Sequence, residues 1–309
     1  MKNKTLKALL LVFILLFSLY YFPSPKRDFF KLYGQDDVSA QGLKEFQSRE
    51  TSLTEVDQVK WMYYSGGQGA QTILFLHGMG GSYDIWWQQI IAFESNYRVI
   101  SYTLPKEIDK LKQCSKGIQA ILTQEKVDSC ILVGSSMGGY ISQYFVQTIP
   151  DKIDKAVFGN TFPPNDLIEQ ENKKNEQIVP WLPEIALVKI GDKKLKNELI
   201  PAGKNSKLLA AFLPSIRFNK EQFMNRYAVV IDPFRVDTLK IQKKSIPKLI
   251  LESDNDPLVQ KELRTALKDV YNDAQTYTFQ NAGHFPYINE ASEYNAVLKQ
   301  FLEKEITED

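Results

Sequence analysis

Hydrophobic and polar positions divide this chain into two regimes. The first 22 residues are a basic start followed by an apolar block, whereas from about Lys44 onward short Ile-, Leu- and Val-rich runs alternate with stretches of helical period. Such alternation predicts an α/β fold, a mostly parallel central sheet covered by helices on both faces. An antiparallel pair is expected over about 46–64. Strands then follow at 72–76, 97–102, 129–134 and 155–159, with helices at 83–93, 108–122 and 137–148 between them. Two further strand–helix units, 247–251 with 259–270 and 276–279 with 291–304, complete the sheet. The runs are apolar on both sides, as strands buried on both faces should be.

Between about 161 and 246 the alternation fails. Helix-like pieces are punctuated there by Pro163, Pro164, Pro180, Pro183, Pro201 and Pro214. A structureless loop of that length is improbable in a compact domain, so the segment is expected to be a helical cap insertion. Residues 23–43 are charged, aperiodic and Pro-bearing, and read as a tether to a folded body over 44–309.

The N-terminal block changes the expected location. Lys2, Lys4 and Lys7 precede an apolar run over 8–22, which is ended by Pro23, Pro25, Lys26 and Arg27. Residues 1–22 therefore read as a signal peptide or an uncleaved membrane anchor, a signal anchor with a transmembrane helix. The missing Ala-x-Ala site and the interfacial character of Tyr20, Tyr21 and Phe22 favour the anchor. Lysines on the N-terminal side predict an exported catalytic domain, membrane-anchored or, after cleavage, secreted.

Charge and cysteine content narrow the function. With 38 basic and 37 acidic residues spread along 309, no electrostatic footprint for nucleic acid exists. Two cysteines and two histidines scattered over the chain form no metal-ligand cluster. Nothing in the spacing of Cys114 and Cys130 demands a disulfide, and two unpaired thiols are expected.

The chemistry gathers at predicted strand ends. Gly134-Ser135-Ser136-Met137-Gly138 is a G-x-S-x-G directly after an apolar strand and before a helix. A nucleophile on so tight a turn needs glycines two residues to either side, and the helix start favours an oxyanion. Ser136 is thus the candidate nucleophile and the Met137 N–H one oxyanion donor. The turn Leu76-His77-Gly78-Met79-Gly80-Gly81-Ser82 offers the Met79 N–H as the second. His77 lies inside that turn and is the weaker of the two histidines as a base. Leu251-Glu252-Ser253-Asp254-Asn255-Asp256-Pro257 places carboxylates at a strand's C-terminal end, where sites of open α/β sheets collect. Asn281-Ala282-Gly283-His284-Phe285-Pro286 follows the last strand. Asp256 is the expected acid, with Asp254 as competitor, and His284 the expected base.

Four motifs in this order resemble the α/β-hydrolase superfamily over about 46–302. Gly159-Asn160-Thr161-Phe162 and the His284 loop are weakly similar to its maspardin-like branch, some members of which lack a complete triad. Ser253 departs from the glycine many relatives carry. The resemblance implies a serine hydrolase with Ser136, His284 and Asp256 as triad and no cofactor. An apolar cap offering Trp181, Leu182, Ile185, Leu187, Phe212, Phe218 and Phe223 favours a small apolar acyl ester. C–C bond hydrolysis, haloperoxidase or aminopeptidase chemistry and non-catalytic ligand binding remain alternatives.

Overall fold

The alternating segments assemble into one eight-stranded sheet. The computed structural model describes residues 2–21, 24, 25, 27–35, 37–237 and 245–304. Strands β1 (Ser52–Val56) and β2 (Val59–Gly67) form an antiparallel edge. The parallel set is β3 (Thr72–Leu76), β4 (Arg98–Thr103), β5 (Cys130–Ser135), β6 (Ile153–Gly159), β7 (Lys248–Ser253) and β8 (Gln275–Phe279).

Successive strand side chains point to opposite faces, so each strand feeds two cores. Leu74, Leu76 and Leu132 pack with α5 (Leu111–Gln124) and α6 (Met137–Thr148). Ile73, Phe75, Ile131 and Val133 pack on the other face with α3 (Val38–Gln47) and α4 (Trp87–Phe93). This double burial is why the strands read as unbroken apolar runs. Cys114 and Cys130 lie unpaired in the first core, and burial pushes the Cys130 thiol up to about 12. A thiol reagent at neutral pH is expected to modify neither cysteine in the folded protein and both after denaturation, counted by intact mass.

Within 23–43 the described residues form α2 (Phe29–Tyr33) and the start of α3. Phe29 is buried edge-on against Phe212, and Ala40, Leu43 and Phe46 line the second core. The cap is helical, as its prolines and length predict. Its described residues form α7 (Leu167–Ile178), α8 (Glu184–Lys194), a π turn over Leu195–Leu199, α9 (Ile200–Ala202), α10 (Lys207–Ser215) and α11 (Lys220–Ile231).

The N-terminal expectation is corrected. Residues Lys2–Tyr21 do form a helix, α1, but among the described residues no helix is long and apolar enough to cross a membrane. Three lysines occupy its start, and the helical residues that remain from Ala8 span about 21 Å at ~1.5 Å each, short of a ~30 Å hydrocarbon core. The expected transmembrane anchor, membrane partner and membrane-anchored location therefore do not stand. Tyr20, expected at a lipid interface, instead donates its hydroxyl to the Pro180 carbonyl at 2.7 Å, with the Lys220 ammonium 4.2 Å from its ring centre. Arg27 pairs with Asp192 of the cap.

Strand β3 lies between β4 and β5, so the winding direction reverses at its carboxyl end, where open α/β sheets bind ligands. Pairing of Leu76 with Gly134 sets the turns after β3 and β5 side by side.

Candidate active site

Ser136 joins β5 to α6 with φ 56° and ψ −121°, a backbone region that costs a non-glycine residue about 1–3 kcal/mol. Surrounding bonds hold it there. Its N–H donates to the Gly159 carbonyl at 2.8 Å, while its own carbonyl accepts from Tyr140 N–H at 3.0 Å and the Thr161 hydroxyl at 2.7 Å. The flanking glycines are required by contact. A Cβ at Gly134 would lie 2.3 Å from the Gly138 carbonyl oxygen, and one at Gly138 only 2.0 Å from that of Leu76. Backbone at the centre of the sheet cannot yield, so Gly138→Ala is expected to destabilise the fold by about 1–3 kcal/mol or more. A denaturant midpoint unchanged from wild type would refute this. Met137 opens α6, so its N–H has no acceptor within the helix.

In that turn His77 is fully buried, with Nδ1 2.7 Å from the Gly78 carbonyl and Nε2 accepting the Leu104 N–H at 3.0 Å. These partners place the proton on Nδ1 and leave Nε2 bare. Burial, then the nearby Arg226 charge, holds the ring's pKa well below the ordinary histidine value. His77 is therefore a neutral brace, spent on the loop. The planar trans peptide makes the brace consequential, because fixing the Gly78 carbonyl aims the Met79 N–H the opposite way. The turn abuts the elbow: a Cβ at Gly78 would be 3.2 Å from the Ser136 Cβ and 3.7 Å from its Oγ.

Asp256 and His284 meet from the loops after β7 and β8. His284 Nδ1 lies 2.8 Å from one Asp256 carboxylate oxygen and 3.0 Å from the other, and both residues are buried. Asp256 also accepts from Asn160 Nδ2 at 2.8 Å, Leu258 N–H at 2.8 Å and Val259 N–H at 3.1 Å. Burial alone would raise its pKa. The His284 charge and hydrogen bond, with those of Asn160 and the Leu258 N–H, outweigh burial and hold the carboxyl below its ordinary value. Asp254 does something else: exposed, it accepts the Asn281 N–H at 2.7 Å and anchors the start of the histidine loop. Among the described residues no hydrogen bond joins Ser136 Oγ to His284, a contact that characteristically tightens only around substrate.

Several contributors were not legible in the chain. Asn160, at φ 41° after β6, supports the acid with Nδ2. Its place at a strand end and in the Gly159–Phe162 motif marked it in the sequence, but neither signal gave it this partner. Asn255 braces the histidine loop, accepting the Gly283 N–H at 3.0 Å and donating to the Ala202 carbonyl of the cap at 2.9 Å. The apolar lining expected of the cap is only partly available. Trp181 and Phe223 are exposed and Phe212 is core against Phe29 and Trp87, leaving Leu182, Ile185, Leu187 and Phe218 half-buried.

Known proteins share this frame. Maspardin of Danio rerio is 25% identical over 258 residues, covering 80% of this chain and 79% of its own. A Pseudomonas aeruginosa PA01 hydrolase superposes with TM-score 0.72 at 17% identity, over 83% of this chain and all of its own. The enol-lactonase of Burkholderia xenovorans LB400 does so with TM-score 0.70 at 16% identity, over 82% and all of its own. The alpha/beta hydrolase family model matches residues 73–297, a span running from β3 through the elbow and acid loop to beyond His284. By that match, and by the sheet order that sets its strand-end loops together, the chain belongs to the alpha/beta hydrolase family.

Proposed function

We propose that the protein is a serine hydrolase that cleaves a small apolar carboxylic ester through an acyl-enzyme on Ser136. The observation that carries this reading is the buried Asp256–His284 pair, whose other ring nitrogen makes no hydrogen bond among the described residues, together with a serine held on a strained strand-to-helix turn. In the first half-reaction the Ser136 oxygen bonds to the acyl carbon and its proton passes to His284 Nε2. Negative charge on the carbonyl oxygen is met by the N–H groups of Met79 and Met137. Collapse breaks the bond to the alcohol oxygen, which takes the proton from His284. Water, deprotonated by the same nitrogen, then attacks the acyl carbon, and the bond to the Ser136 oxygen breaks as that oxygen takes the proton back from His284, releasing the acid. Asp256 stays ionised throughout, orienting the ring and offsetting its transient charge.

The half-buried apolar residues of the cap support a small apolar acyl group. The enol-lactonase similarity supports extending the substrate class to cyclic esters, because ring opening uses the same attack on a carboxylic carbonyl. A fluorophosphonate probe followed by a p-nitrophenyl ester series of increasing acyl length tests both parts. Stoichiometric labelling of Ser136, with turnover highest at short acyl chains, is expected. A folded protein that takes no label is a ligand-binding member of the family and not a hydrolase. Labelling with preference for long chains rejects the small-acyl part alone.

A further inference from the structure

Arg226, on α11 of the cap, is 1% exposed, and its hydrogen bonds end on backbone carbonyls. Nη1 donates to Met79 at 2.6 Å and Gly81 at 2.8 Å, and Nη2 donates to Leu104 at 2.9 Å. Two of these acceptors belong to the turn that carries the Met79 N–H. A buried cation without an acidic hydrogen-bond partner is costly, and an aliphatic side chain would fill the same space more cheaply. Burial lowers its pKa to about 10, which leaves it charged at neutral pH.

We propose that Arg226 is a positioning residue for the oxyanion hole: from the cap it clamps the Met79 carbonyl and so holds the peptide plane that follows Met79, while His77 holds the plane that carries the Met79 N–H. The inference rests on the reading of Met79 and Met137 as oxyanion donors. Two soft dihedrals at Met79 set the angle between the peptide planes on either side, so holding both planes holds Met79. His77 holds the preceding plane through the Gly78 carbonyl, and Arg226 holds the following one through the Met79 carbonyl. Leu104 ties the clamps together, giving its N–H to His77 and its carbonyl to Arg226. A guanidinium fork can meet several carbonyls in one plane, which an ammonium cannot. Since Arg226 belongs to the cap, the seating of α11 and the integrity of the oxyanion hole become one property.

The test compares wild type, Arg226→Met and Arg226→Lys as full chains, using the best p-nitrophenyl ester and a trifluoromethyl ketone whose adduct on serine places an oxyanion in the hole. For Arg226→Met, kcat is expected to fall by about 10²–10³, the size of a lost oxyanion donor, with KM changed by less than about threefold. Affinity for the ketone should fall with kcat. Arg226→Lys keeps the charge but not the three-carbonyl span, and should lose about tenfold in kcat and in ketone affinity. Should the Met variant fail to fold, the Lys variant decides. Wild-type kcat and ketone affinity in either folded variant overturn the inference. So does a loss of activity that merely follows the folded fraction measured by thermal melting. A wild type that neither labels with fluorophosphonate nor turns over any ester instead defeats the serine-hydrolase reading, whatever the Arg226 variants do.

Discussion

Ser136→Ala is expected to lower kcat by about 10⁶ and to abolish fluorophosphonate labelling, because the covalent step has no other oxygen to use. Ser135→Ala, one residue away, should keep turnover within about twofold, the range of a change that removes no transition-state contact. The contrast follows from the backbone. Ser135 ends β5 and is 1% exposed, packed inside, whereas the positive φ of Ser136 turns the chain back and lifts its side chain out of the sheet. Alanine at 136 should also relieve nothing structurally, since the carbonyl of Gly159 and the hydroxyl of Thr161 hold that residue through its backbone. Equal melting temperatures for the two variants, with only one inactive, would separate chemistry from folding. Equal labelling of both would remove Ser136 from its proposed role.

Asp256→Asn is expected to cost about 10⁴ in kcat, and Asp254→Asn less than about tenfold. Every group aimed at the Asp256 carboxylate is a donor: His284 Nδ1, Asn160 Nδ2 and the N–H groups of Leu258 and Val259. An amide presents one acceptor oxygen and an NH₂ group to that set, so at least one donor is left facing another and the imidazole loses its orientation. The same mismatch should lower stability by about 1–3 kcal/mol.

The depressed native pKa of Asp256 gives this cost a pH signature. A carboxyl with a native value below the unfolded one stabilises the fold above the unfolded value, near ~3.9, and loses that contribution as pH falls through the lower native value. The melting-temperature gap between wild type and Asp256→Asn should therefore be full at neutral pH and narrow below about pH 4. A gap that stays constant into acid would show that the carboxylate charge contributes nothing to the fold. An Asp254→Asn variant that loses turnover as severely would place the acid two residues earlier, on the loop brace.

Local patterning was sufficient for the frame of the protein. Double burial makes each parallel strand a short apolar run, and a serine on a strained turn demands glycines at fixed offsets, so the strand order in sequence and the elbow at 134–138 are visible in the chain itself. The N-terminal segment shows where pattern misleads. A basic start and an apolar run describe an anchor only if the helix is long enough, and length depends on where the lysines fall along α1. Asn160 beside Asp256, the role of Asp254 as a loop brace and the burial of Phe212 depend on which strand ends become neighbours. Arg226 is the clearest case: in sequence it is one cation in an ordinary amphipathic helix, and only packing of the cap against the turn after β3 brings it to three carbonyls far away in the chain. What the sequence alone determined is what short-range sterics and burial period demand. What tertiary structure decided is every contact between loops from different strands, because a side chain's partner across the sheet leaves no trace in its own neighbourhood.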